Sequence, residues 1–142
     1  MKLSEEKEII IPLHPRTKKL LDVNLSQELY DCFTKNERIN IIPPASFLEM
    51  IRLEKNADMV ITDSGGVQKE AFFFKKPCII IRSETEWKEI VECGAAVITD
   101  ANEEKIIEAY YQFKQKEKQE YPEYFGDGKA AIFICKELIN NQ

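Results

Sequence analysis

The segment Thr62-Asp63-Ser64-Gly65-Gly66 joins a short apolar run at residues 59–62 to a stretch with helical spacing through Val67, Ala71 and Phe74. Two consecutive glycines remove side chains where a ligand must approach the backbone. The first N–H groups of a helix have no partner within it and lie at the positive end of its dipole, so they suit an anion such as a diphosphate. Ser64 adds a hydroxyl donor, and Glu70, about one turn into the helix, carries a carboxylate that can accept two hydrogen bonds from a vicinal diol. The same glycines also suit a tight strand-to-helix turn needed for geometry alone. The string is neither G-x-G-x-x-G nor a Walker loop, so its meaning depends on its neighbours. Two other residues with chemistry to offer occupy corresponding places. His14, the only histidine, follows the apolar run 9–13, and Arg82 follows the run 78–81.

Those residues need a scaffold, and the hydrophobic pattern supplies one. Apolar runs at 9–13, 39–42, 59–62, 78–81 and 96–99 are predicted as five buried strands. Between them the spacing predicts helices. One opens after His14-Pro15-Arg16-Thr17, with Pro15 suited to a first turn. Residues 22–38 show only a hint of helical spacing in Leu25, Leu29, Tyr30 and Phe33. Pro43-Pro44 stops the second strand. Ser46 then caps a helix with Phe47, Met50, Ile51 and Leu53 on its apolar side, and Glu49 stands where a capping box requires it. Further helices are expected over 85–93, ended by Gly94, and from an Asp100 or Asn102 cap to about residue 119. A Pro- and Gly-containing connector at 121–128 leads to a last helix over 130–138. Strands alternating with helices predict an α/β fold of three layers, Rossmann-like, with a parallel sheet and helices on both faces. Ligands bind such folds beyond the C-terminal ends of the strands, where His14, Pro44, residues 63–66, residues 82–86 and Asp100 all fall.

Composition narrows the classes. With 142 residues the chain fits one domain, and 44% apolar residues suffice for a core. A net charge of −5 argues against a nucleic-acid binder, while leaving room for a small anion held by a few local donors. No apolar run reaches the roughly 18 residues of a membrane span, and the charged N-terminus lacks a signal peptide's apolar stretch. Cys32, Cys78, Cys93 and Cys135 are far apart and unpaired by motif, which predicts buried free thiols in a reducing cytoplasm and no zinc site.

Taken in order, His14-Pro15-Arg16-Thr17, Pro44-x-x-Phe47, the string from Thr62 to Ala71, Pro77 through Arg82 leading into Thr85-Glu86-Trp87-Lys88-Glu89, Gly94, and residues 124–130 resemble the C-terminal half of the non-hydrolysing UDP-N-acetylglucosamine 2-epimerases. The resemblance runs from Ile9 to near the end of the chain. It implies half of a GT-B type fold, in which two Rossmann-like domains face each other across the active-site cleft. It implies inversion of C2, converting UDP-N-acetylglucosamine to UDP-N-acetylmannosamine by elimination and re-addition of UDP, for polysaccharide biosynthesis, with no metal or nicotinamide cofactor. By the same resemblance His14 lies near the diphosphate and the reacting sugar. Ser64, Gly65 and Gly66 hold the diphosphate, Glu70 holds the ribose hydroxyls, Met50 packs on uracil, and Arg82 is a recurrent site arginine.

Several residues depart from that pattern or have plainer explanations. Trp87 stands where many members carry a phosphate-directed arginine, and the Thr-Glu-Trp version also resembles a branch that includes epimerases of UDP-diacetamido-glucuronic acid. Packing beneath the loop is the simpler role for Trp87. Lys69 replaces a common acidic residue at a position expected to face away from ligand. Phe72, Phe73 and Phe74 suit a core and an inter-domain face, with Phe72 or Phe73 left uncovered. Tyr110, Tyr111 and Phe113 suit helix packing. The family's acidic residues for C2 proton transfer belong to its N-terminal domain, so the chain over 1–142 is expected to be the C-terminal UDP-binding domain, without the N-terminal domain and inactive alone. Full-length relatives are expected to form a homodimer. The competing expectations are a stand-alone UDP-sugar binding module and, more distantly, a glycosyltransferase half-domain.

Overall fold

The computed structural model describes residues 2–140. After a 3-10 turn at Lys2–Glu5, the chain alternates strands and helices: β1 (Ile9–Pro12), α1 (Pro15–Asn24), α2 (Gln27–Thr34), β2 (Ile39–Ile42), α3 (Phe47–Asn56), β3 (Val60–Thr62), α4 (Gly65–Phe73), β4 (Cys78–Ile80), α5 (Lys88–Glu92), β5 (Ala96–Ile98), α6 (Glu103–Gln115) and α7 (Ala130–Asn140). All five expected strands are present and every pairing is parallel.

The strands form two hydrogen-bonded sheets rather than one. In the first, β1 pairs β2 with Ile9 opposite Ile39; in the second, β3, β4 and β5 align Val60, Cys78 and Ala96. Two features shorten any ladder between the sheets. Pro12 closes β1 without an N–H to donate, and β3 is only three residues long. An ion pair at 2.7 Å between Lys7 and Asp58 ties the segments that lead into β1 and β3.

Burial concentrates on the three-stranded sheet, and the alternation of side chains along β4 explains how. Cys78 and Ile80 point to one face, where they pack with Ala71 and Phe72 of α4 and Ile90 of α5. Ile79 points to the other, against Ala109, Tyr110 and Phe113 of α6. Helices thus cover both faces of this sheet, as the alternating pattern predicts. The tyrosines of α6 also anchor the N-terminus: Glu6 accepts hydrogen bonds from Tyr110 and Tyr111 and pairs with Lys114. These contacts hold the Glu6 carboxyl below the usual range.

Several boundaries and burials differ from the sequence expectation. The ambiguous stretch 22–38 holds the end of α1 and the separate helix α2, whose Ser26 caps the Leu29 N–H. Phe47, expected on the apolar side of α3, is largely exposed. Helix α5 begins only at Lys88 because Thr85 Oγ1 accepts the Trp87 N–H in a local turn. Gly94 stops α5 at φ +72°, a left-handed conformation that glycine adopts without steric cost. Helix α6 ends at Gln115, where Lys116 turns extended, so residues 116–119 are not helical. Phe72 is buried, while Phe73 is the uncovered member of the triplet. Of the four free thiols, Cys78 is buried and Cys93 half-buried. Cys32 and Cys135 are exposed, contrary to the expectation of burial, because α2 and α7 contain no fully buried residue.

Candidate functional site

Parallel strands place all their C-terminal ends on one edge of a sheet, and the loops leaving that edge carry the candidate residues. The β3–α4 loop is best defined. Ser64 is the N-cap of α4, and its own N–H is taken by Thr62 Oγ1 at 3.0 Å. The Ser64 hydroxyl makes no capping hydrogen bond. Backbone bonding within α4 begins with the Gln68 N–H to the Ser64 carbonyl, leaving the N–H groups of Gly65, Gly66 and Val67 without an acceptor among the described residues. Ser64 and Gly66 are exposed. Three free amides and a hydroxyl therefore converge at the positive end of one helix dipole, an arrangement suited to phosphate oxygens.

The loop after β4 closes over this turn. The indole Nε1 of Trp87 donates to the Gly65 carbonyl at 2.8 Å, and Thr85 Oγ1 donates to Gln68 Oε1 at 2.6 Å. A Cβ on Gly65 would lie 3.1 Å from Glu86 Oε2 and 3.8 Å from Trp87 Nε1, so close approach explains this glycine. Arg82, just beyond β4, reaches Glu86 through both terminal nitrogens, at 3.0 and 3.3 Å. The Glu86 carboxyl is held below its ordinary value, first by a bond from its own backbone and then by Arg82. Arg82 is thus tethered to the Glu86 carboxylate that lies beside Gly65.

Trp87 carries structural load as well. Its ring meets Phe125 edge-on at 5.6 Å, and the Lys69 ammonium lies 4.3 Å from the Trp87 ring and 4.4 Å from that of Phe125. Segment 121–128 joins α6 to α7 without regular structure, as expected of a connector, and also lays aromatic rings against the core. Tyr121, Tyr124 and Phe125 all contact Phe72.

The remaining candidates are less tightly gathered. His14 caps α1, its Nδ1 accepting the Arg16 N–H at 3.3 Å. In the neutral ring this puts the proton on Nε2, the nitrogen left to act as donor. No hydrogen bond or ion pair joins His14 to residues 63–66. Met50 is half-buried on α3. A groove of about 340 Å³ between the end of β2 and α3 is lined by Pro43, Pro44, Glu49, Arg52 and Leu53, without Met50. The structure therefore brings Ser64, Gly65, Gly66 and Arg82 to neighbouring loops and joins neither His14 nor Met50 to them by a hydrogen bond or ion pair. Glu70, half-buried on α4, faces a residue the sequence reading passed over. Glu54 of α3 is 3% exposed, and no donor among the described residues reaches either carboxyl oxygen. Burial foremost, then the neighbouring Glu70 charge and a carboxyl-to-carboxylate hydrogen bond with Glu70, push Glu54 up to about 7. Helical spacing carried the signal: 47, 50, 51 and 54 form one stripe, and an acid on an apolar stripe needs a reason.

A family model described as UDP-N-acetylglucosamine 2-epimerase matches residues 1–139. The chain belongs to the UDP-N-acetylglucosamine 2-epimerase family. Among its relatives is the UDP-N-acetylglucosamine 2-epimerase of Methanocaldococcus jannaschii, 44% identical over 94% of this chain and 35% of the relative. The UDP-2,3-diacetamido-2,3-dideoxy-D-glucuronate 2-epimerase of Pseudomonas aeruginosa is 40% identical over 92% of this chain and 34% of the relative. A crystal structure of the M. jannaschii epimerase in complex with UDP-GlcNAc and UDP superposes with a TM-score of 0.81 at 41% identity, covering 98% of this chain and 37% of that one. The 2-epimerase family thus supplies the α/β architecture with parallel sheets seen here. The chain spans a little over a third of the length of these relatives. No helix among the described residues is long and apolar enough to cross a membrane.

Proposed function

We propose that residues 1–142 form the UDP-holding domain of a 2-epimerase that interconverts UDP-N-acetylglucosamine and UDP-N-acetylmannosamine, working with a second domain that supplies the acid and base at C2. The observation that carries this reading is the set of unpartnered amides at Gly65, Gly66 and Val67 beside the free Ser64 hydroxyl. Diphosphate oxygens satisfy those donors, and Arg82 at the rim adds charge by exchanging Glu86 for phosphate. Glu70, one turn further along α4, receives the ribose hydroxyls, and Met50 offers an adaptable apolar contact for uracil. His14 presents Nε2–H from the end of β1. A donor there stabilises negative charge on the departing UDP as the C1–O bond breaks, and guides its return. Binding and leaving-group stabilisation thus belong to this chain, whereas proton transfer at C2 belongs to the partner domain.

Titration with UDP tests the assignment. The chain alone presents half a cleft, so a dissociation constant between micromolar and millimolar is expected. Ser64→Ala combined with Glu70→Ala weakens it by about 2 kcal/mol or more, from roughly 1.5 to 3 kcal/mol per hydrogen bond to a charged group. Binding equal to that of the parent chain would refute the pocket. UDP-N-acetylglucosamine added to the chain alone should yield no UDP-N-acetylmannosamine signal by NMR, and robust turnover would place the acid and base within these residues.

A further inference from the structure

Among the described residues, Glu54 is the buried carboxyl, and it has no cation to neutralise it. Arg52 and Lys55 on its own helix are exposed and make no ion pair with it. The groups facing it from other elements are the Glu70 carboxylate on α4 and the Cys78 thiol on β4. An unpaired carboxylate in such a place is costly, whereas a carboxylic acid keeps an O–H donor and loses the charge. Two carboxyl groups that share a site settle by sharing one proton. Glu54 is the more deeply buried of the two, so it is the member that takes the proton, and Glu70 at the edge accepts from it. An acceptor bond on one Glu70 oxygen restricts the side chain to fewer orientations, which lowers the ordering cost when a ligand arrives.

We propose that Glu54 is a positioning residue for the nucleotide site: it holds one proton against the Glu70 carboxylate and so fixes Glu70 in the orientation that receives the two ribose hydroxyls. This rests on Glu70 being the ribose ligand. It makes recognition of the ribose, as distinct from the diphosphate, sensitive to pH: ionisation of Glu54 sets two negative charges against each other and frees Glu70 to swing away.

The test compares UDP with 2′-deoxy-UDP by calorimetry on the full chain. Taking their ratio cancels the titration of the phosphates themselves. The parent chain should prefer UDP about tenfold near pH 6 and less than about twofold near pH 8.5. Glu54→Gln keeps a neutral donor toward Glu70 and should hold the preference at both pH values. A separate readout is the side-chain carboxyl signal of Glu54 in a carbon-13 NMR titration of the parent chain, expected to move with a midpoint near 7. A midpoint in the ordinary carboxylate range overturns the proposal whatever the binding data show. So does a preference that ignores pH, or a Glu54→Gln profile identical to the parent's. No preference at any pH, with Glu54 still titrating near 7, refutes the ribose assignment of Glu70 and with it this role.

Discussion

Glu54 and Gly65 show how a single position can record the demands of a site. A carboxyl raised from 4.5 to about 7 by burial binds its proton more tightly in the folded chain than in the unfolded one. Between those values the unfolded state carries fewer protons, so stability falls as pH rises. The contribution is neutral below about pH 4.5 and fully unfavourable above about pH 7, and the gap corresponds to about 3 kcal/mol. Glu54→Gln removes this dependence. In urea denaturation, the parent should lose up to about 3 kcal/mol more than the variant between pH 5 and pH 8. Equal losses would show that Glu54 titrates normally. The sequence signalled Ser64, Gly66 and Glu70 by motif, whereas Glu54 belongs to no motif and its meaning depends on which helix covers it.

At the scale of elements, the β3–α4 and β4–α5 loops behave as one unit. Two cross-links join them: Trp87 to the Gly65 carbonyl and Thr85 to Gln68. Lys69, Trp87 and Phe125 then bind that unit to segment 121–128. Trp87→Phe keeps most of the packing but leaves the Gly65 carbonyl without its indole donor. A cost of about 1 to 3 kcal/mol is expected from the loss of a part-buried bond, read as a lower urea midpoint at unchanged slope. An unchanged midpoint would mean the indole bond contributes nothing. The succession of strands and helices along the chain was legible because apolar runs of four or five residues alternate with 3.6-residue spacing. The break between the two sheets was not, since pairing depends on how β1 and β3 meet across 47 intervening residues. The aromatic flank was hidden for a similar reason: Pro122, Gly126 and Gly128 announce a chain without regular structure, yet Tyr121 and Phe125 are half-buried against Phe72, about fifty residues away.

Across the whole molecule, burial is uneven. The three-stranded sheet carries helices on both faces, with Ile61 of β3 left exposed on one of them, while α7 has no buried residue and exposes Ile132, Phe133, Leu138 and Ile139. Free amides at 65–67, the tethered Arg82 and the Glu54–Glu70 pair all lie on the elements of this better-buried half, which would carry the proposed nucleotide site. His14 leaves the other sheet, so its distance from the proposed diphosphate position depends on how β1 and β3 are held, with the Lys7–Asp58 pair as one tie. The most direct test of the account follows backbone amides by nitrogen-15 NMR as UDP is added. Saturable shifts centred on Gly65, Gly66 and Val67, abolished by Ser64→Ala with Glu70→Ala, are expected. Amides that stay still at 65–67 while others move would place the nucleotide elsewhere and contradict it.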